Sequence, residues 1–165
     1  MITGEHTQIS FAVHRAIDSA LRKMSLDKAI HDYACVDIDV GGVTKQADMG
    51  WGPRRLPSGY PKRPTLDPTR GNVNVVIAAI VNRRRPMVSI DKWIWDAVNG
   101  KSLNCQHIDV SKSDTDEVKL SGGPLIIPFH LLFFRQPEIP RETDIIIDRE
   151  WLQKIAEWEW DLQFQ

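Results

Sequence analysis

Residues 36–51, VDIDVGGVTKQADMGW, constrain the fold more than any other stretch. Val36, Ile38 and Val40 alternate with Asp37 and Asp39, the period of a strand with one apolar face. Gly41-Gly42 supplies the positive φ angles of a two-residue hairpin turn. Residues 43–49 then return along the first strand. With Gly41-Gly42 as the whole turn, Asp39 faces Thr44 and Asp37 faces Gln46. Asp37, Asp39 and Asp48 then share one face of the ribbon, with Asp37 and Asp48 as diagonal neighbours. Clustered carboxylates suit Mg²⁺ or Mn²⁺, which prefer hard oxygen ligands. The wet face of an ordinary hairpin carries such residues too.

The chain is 165 residues long, which predicts one domain over 1–165 with room for a substantial core. Its net charge of -1 sets up no global field towards nucleic acid or membrane, so any such contact has to come from a local patch. Cys35 and Cys105 are far apart and form no metal-spacing motif. They read as reduced thiols of an intracellular protein, cytoplasmic or nuclear. The opening MITGEHTQ is polar and acidic, unlike a signal peptide, and no apolar run approaches a membrane span.

Ile9, Ala12, Val13, Ala16, Ile17, Ala20, Leu21 and Met24 recur at helical spacing and predict an amphipathic helix, with His14 near its apolar border. Residues 25–32 read as a connector or a short turn of helix. Residues 50–68 hold five of the ten prolines and are too broken for helix or central strand. There Arg54, Arg55, Lys62 and Arg63 stand beside Trp51 and Tyr60. Cations next to aromatics suit a phosphate backbone with stacked bases, and equally a solvated loop whose aromatics fold onto the core.

Residues 73–81, VNVVIAAIV, predict a strand buried on both faces and central to a sheet. Arg83, Arg84 and Arg85 form a basic turn. Residues 87–95 alternate, with Val88, Ile90 and Ile94 opposite Trp93 and Trp95, and Asn99-Gly100 marks the next turn. Residues 105–110 form a further strand and 118–120 a brief edge pairing. Residues 129–134 predict one or two helical turns burying Leu131, Leu132 and Phe133. Asp148 caps a last helix over 149–162, whose stripe is Trp151, Leu152, Ile155, Ala156 and Leu162. Trp158 and Trp160 cannot both join it. The fold class is α+β: a mixed, mostly antiparallel sheet flanked by N- and C-terminal helices.

Several motifs, in order, resemble the fungal branch of the PD-(D/E)XK, restriction-endonuclease-like proteins. Lys45-Gln46-Ala47-Asp48 followed by Trp51-Gly52-Pro53 resembles the K-x-x-D-x-x-x-x-P element of that family, and Arg63-Pro64-Thr65-Leu66 its P-T-L. Residues 71–80 and 86–93 resemble its later hairpin, which ends in I-x-K-W. Residues 125–129 and 143–147 resemble its C-terminal region. In the family, P-T-L leads into a strand with a second catalytic carboxylate, written E-V-G, and then into a helix. Here Pro64-Thr65-Leu66 runs through Asp67-Pro68-Thr69-Arg70 straight to Gly71. That strand, its Glu and the helix are missing, so the resemblance is to a truncated core.

The resemblance implies a divalent metal held between the Asp of one strand and the Glu of the next, with a Lys or Gln such as Gln46 placing the water. Asp48 alone binds Mg²⁺ weakly, because the ion keeps its hydration shell. Asp67, Asp37 and Asp39 are the possible substitutes. The resemblance thus implies a degenerate, catalytically inactive relative that acts by binding nucleic acid or protein, with no cofactor. The phosphate contacts would be Arg54, Arg55, Lys62, Arg63 and Arg83–Arg85. One alternative is an interaction protein working as a homodimer, because a lost central strand leaves edges open to pairing. The other is an Mg²⁺- or Mn²⁺-dependent nuclease with a rearranged site around Asp48.

Overall fold

The computed structural model describes residues 4–40, 43–55, 58, 73–96 and 98–164, with the side chains of 4–7 and 34–47 outside that description. Helix α1 (Gly4–Lys23) leads through a 3-10 turn (Asp27–Ala29) into strands β1 (Ile30–Val40) and β2 (Val43–Pro53). Strands β3 (Val75–Asn82), β4 (Met87–Asp96), β5 (Lys101–Lys112) and β6 (Val118–Ser121) follow as a meander. Then come β7 (Leu125–Ile127), helix α2 (Phe129–Phe133), β8 (Ile145–Ile147) and helix α3 (Arg149–Gln163). The fold is α+β, and the terminal helices flank the sheet structure. Every described strand pairing is antiparallel.

The hairpin has the expected register, Asp37 opposite Gln46 and Asp39 opposite Thr44. It is longer than its alternation suggests. Residues 50–53 continue β2 because Tyr33, Asp32, His31 and Ile30 stand opposite them, and Pro53 closes the strand at its end.

Residues 73–81 correct an expectation. Among the described residues β3 ends the sheet of order β3-β4-β5-β6, while β1 and β2 pair only with each other. Only one face of β3 is covered: Ile77, Ala79 and Val81 pack on the core. Val76 is 43% exposed and Ile80 59%. Continuous apolarity here does not mean burial on both faces.

The core lies between the inner face of the four-stranded sheet, α1, α3 and the β7–β8 pair. Val88 and Ile90 of β4 and Ile108 and Val110 of β5 meet Leu125, Ile145, Leu152 and Ile155 there. Seven of the eight expected apolar positions of α1 are buried, Ala20 being partly so. Asp148 caps α3 by accepting from the Trp151 N–H at 2.9 Å. The buried stripe of α3 is Leu152, Ile155, Ala156, Glu159 and Trp160. Leu162 is 50% exposed, so the stripe turns through Trp160 instead, and Trp158 is left on the surface. In α2 the buried residues are Phe129 and Phe133, not Leu131 and Leu132. Buried Lys92, in the Ile90-Asp91-Lys92-Trp93 stretch, donates from Nζ to the Ile126 carbonyl at 2.7 Å, tying β4 to β7. Among the described residues no helix is long and apolar enough to cross a membrane.

Candidate functional site

Three segments meet to form a basic cleft. At the end of α1 the Leu26 N–H donates to the Leu21 carbonyl (2.8 Å) and the Ser25 N–H to the Arg22 carbonyl (3.0 Å). This Schellman pattern needs a left-handed residue after the helix. Ser25 supplies it at φ 59° without glycine's conformational freedom. The 3-10 turn that follows leaves Lys28 exposed. The end of β2 is stitched alongside: Arg54 donates its N–H to the Ala29 carbonyl (2.9 Å) and its Nε to the Ile30 carbonyl (3.1 Å). Phe133 of α2 and Arg135 close the third side.

The cleft has a volume of ≈ 590 Å³. Lys28, Arg54, Arg55 and Arg135 line it, together with Ser25 and apolar groups, and among the described residues no acid does. Arg135 is already committed. Its Nη1 and Nη2 donate to Glu142 Oε2 and Oε1 at 2.6 and 2.7 Å, and its guanidinium lies 5.0 Å from the Phe129 ring centroid. The hydrogen bonds from Arg135 hold the Glu142 carboxyl below its ordinary range, and Glu142 raises Arg135 in return. Lys28, Arg54 and Arg55 therefore supply the cleft's uncompensated charge. Among the described residues the lining offers cations and one hydroxyl, with no carboxylate, imidazole or thiol to move a proton. Such a lining has the chemistry that suits anions.

The chain matches no protein-family model, no curated protein and no solved structure.

Arg54 and Arg55, two of the residues singled out in the sequence, line the cleft, and the fold adds Lys28 and Arg135, which the sequence does not single out. These two reach the cleft through a short turn and a post-helical loop, and no local spacing announces either. Arg83, Arg84 and Arg85 belong to a different corner. The Asn82 side chain accepts from the Arg84 and Arg85 N–H groups at 2.9 and 3.1 Å, and the Asn82 carbonyl accepts from Gln163 of α3. Asp48 is exposed on the α1 side of β2, where Ser10 Oγ donates to its Oδ2 at 3.3 Å. Close by, Trp51 Nε1 donates to His14 Nδ1 at 3.1 Å, folding that aromatic onto the core. Lys62, Arg63 and Asp67 lie outside the described residues, as do the side chains of Asp37, Asp39 and Gln46. Among the described residues no group of three or more His, Cys, Asp or Glu side chains is arranged for a metal ion.

A second polar cluster lies on the outer face of β4 and β5, where register sets Asp91 opposite His107 and Ser89 opposite Asp109. His107 Nδ1 is 2.8 Å from Asp91 Oδ1, and its Nε2 is 3.2 Å from Asp109 Oδ2. Ser89 Oγ donates to Asp109 at 2.6 Å, and Asn104 donates to Asp91 at 2.8 Å. Period-two spacing, Ser89-x-Asp91 and His107-x-Asp109, is its only sequence signal. Both imidazole nitrogens rest on carboxylates and the serine does not touch the ring, so this is not a nucleophile–base pair. The hydrogen bonds that His107 donates to Asp91 and Asp109 hold it above its ordinary value of 6.5. A group raised in the folded state stabilises below its unfolded pKa, and that contribution is lost as pH rises through the folded one. In an NMR titration His107 is expected to titrate above 6.5 and to return towards that value in Asp91→Asn. An unchanged midpoint in the variant would remove Asp91 as the main cause.

Proposed function

We propose that this protein binds the phosphate backbone of nucleic acid through the cleft of Lys28, Arg54 and Arg55, and acts by binding rather than by cutting. The observation that carries this is the convergence of these cations on a concavity with no acid among its described lining residues. The position of Arg54 and Arg55 supports it further. They stand in the same basic stretch of sequence as Lys62 and Arg63, the pattern a phosphate-binding tract would carry. The reading extends the resemblance to a nuclease core without its second carboxylate. Asp48, the surviving acid, is bonded by Ser10 and is absent from the cleft lining.

Fluorescence anisotropy with single- and double-stranded DNA and RNA over a salt series tests this. The logarithm of affinity should fall linearly with the logarithm of salt, as counterions are released. Replacing Lys28, Arg54 and Arg55 together by alanine should reduce that slope by about 2 to 3 and weaken binding at least about tenfold. Binding that ignores salt, or that survives the triple substitution, would overturn the assignment. A parallel incubation with Mn²⁺ should leave the nucleic acid intact. Cleavage that disappears in Asp48→Ala would replace the binding reading with a metal-dependent nuclease.

A further inference from the structure

The outward edge of β3 points to a second copy of this chain. An edge strand displays backbone N–H and C=O groups from alternate residues, and natural proteins protect such edges with lysine, proline, bulges or cover. Residues 75–81, VVIAAIV, have none of the protective side chains. Among the described residues no strand pairs with that edge. On the outer face Val76 and Ile80 are 43% and 59% exposed, and Trp93, cross-strand from Val76, is 37% exposed. This apolar strip runs directly up to the edge.

The strand is also self-complementary. In an antiparallel pair, opposite residues point to the same face. A two-fold axis perpendicular to the sheet at Ala78 therefore sets Val76 opposite Ile80, Ile77 opposite Ala79 and Val75 opposite Val81. Each pair keeps its face: Val76 and Ile80 lie outside, while Ile77, Ala79 and Val81 pack on the core. The two exposed residues of one copy cover those of the other. Charge agrees with this register. The same symmetry carries Arg83, the first residue of the basic turn, to position 73 of the other copy. The β3–β4 register, with Val75 opposite Ile94, extends to bring Asp96 level with that position. The Asp96 carboxyl is held below its ordinary value by its bonds to Asn99 and Val98, so an anion stands at each end two strand spacings, about 10 Å, from the incoming Arg83.

We infer that the protein forms a two-fold homodimer by antiparallel pairing of β3 about Ala78, joining two four-stranded sheets into one of eight strands. The inference uses no residue of the basic cleft and stands or falls independently of nucleic-acid binding. Sedimentation equilibrium of the full chain should give twice the monomer mass at micromolar concentration. Val76→Lys and Ile80→Lys place a charge on an already exposed position, and each should raise the dimer dissociation constant roughly tenfold or more. Leu103→Lys, also on an exposed position (38%) but two strands away on β5, should leave it unchanged. Ala78→Cys, with Cys35 and Cys105 replaced by serine, should be captured as a covalent dimer by a short thiol–thiol crosslinker, and Val98→Cys in the same background should not. Circular dichroism confirms that each variant is folded. A monomeric wild-type chain would overturn the proposal, as would a dimer indifferent to both lysines or one crosslinked equally well at position 98.

Discussion

Arg135→Ala is expected to destabilise the fold by about 3 kcal/mol, because it strands a buried carboxylate. Glu142 is 5% exposed and takes three donors, two from the Arg135 guanidinium and one from the Glu138 N–H at 2.8 Å. Arg135 keeps 35% of its side chain in solvent, which screens the pair, so the lower end of the range for breaking a buried ion pair applies. Removing both partners, as Arg135→Met with Glu142→Leu, should cost far less than Arg135→Ala alone, since no charge is left unanswered. The pH dependence adds a sign. In the wild type the depressed Glu142 pKa contributes stability that is present above its unfolded value and lost as pH falls through the folded one. Without Arg135, burial disfavours the ionised form, and the Glu142 pKa should rise above its unfolded value. The deficit of Arg135→Ala should therefore shrink on acidification. Urea denaturation at several pH values measures this. A deficit that is constant, or that grows at low pH, would mean the carboxylate is not the source of the loss.

Local periodicity made most of the elements legible. The α1 stripe, the Asp148 cap and the β1–β2 register depend on spacings within a few residues, and the structure reproduces them. Long-range placement was not legible. The string VVIAAIV is equally compatible with a central strand and with an edge whose outer face is open, because apolarity at every position says nothing about the number of neighbours. Hydrophobicity alone carries the α3 stripe to Leu162, yet helical geometry takes it through Glu159, a charged residue no pattern would choose for a core. The cleft was half legible. Arg54 and Arg55 are adjacent in a basic stretch, whereas Lys28 and Arg135 reach them only because the Arg54 N–H and Nε bind the Ala29 and Ile30 carbonyls and Phe133 packs behind. The His107 cluster needed the β4–β5 register, which the bulge between Lys92 and Trp93 shifts midway.

Phe129→Ala should cost about 3 to 5 kcal/mol, the range for truncating a fully buried phenylalanine. Phe129 has no exposed surface and stacks on Phe133 with ring centroids 4.4 Å apart. Its N–H donates to Asp144 Oδ1 at 2.9 Å, which fixes the start of α2 against the loop that leads into β8. Truncation leaves a void beneath the wall of the basic cleft, since Phe133 lines that cleft and Arg135 lies over both rings. Collapse is hindered: Phe133 is held in place by α2, and Arg135 is held away from the void by Glu142. The loss should therefore sit near the upper half of the range, as a lower urea midpoint with an unchanged slope. Arg135 and Phe129 touch, so their effects should not add. A double-mutant cycle should show a coupling of about 1 kcal/mol, the ring–guanidinium contact that either truncation already removes. Additivity within about 0.3 kcal/mol would instead assign the whole worth of Arg135 to its bonds with Glu142. A Phe129→Ala loss below about 1.5 kcal/mol would mean that Phe133 swings into the void, and the cleft wall would then be soft enough to reshape around a bound phosphate.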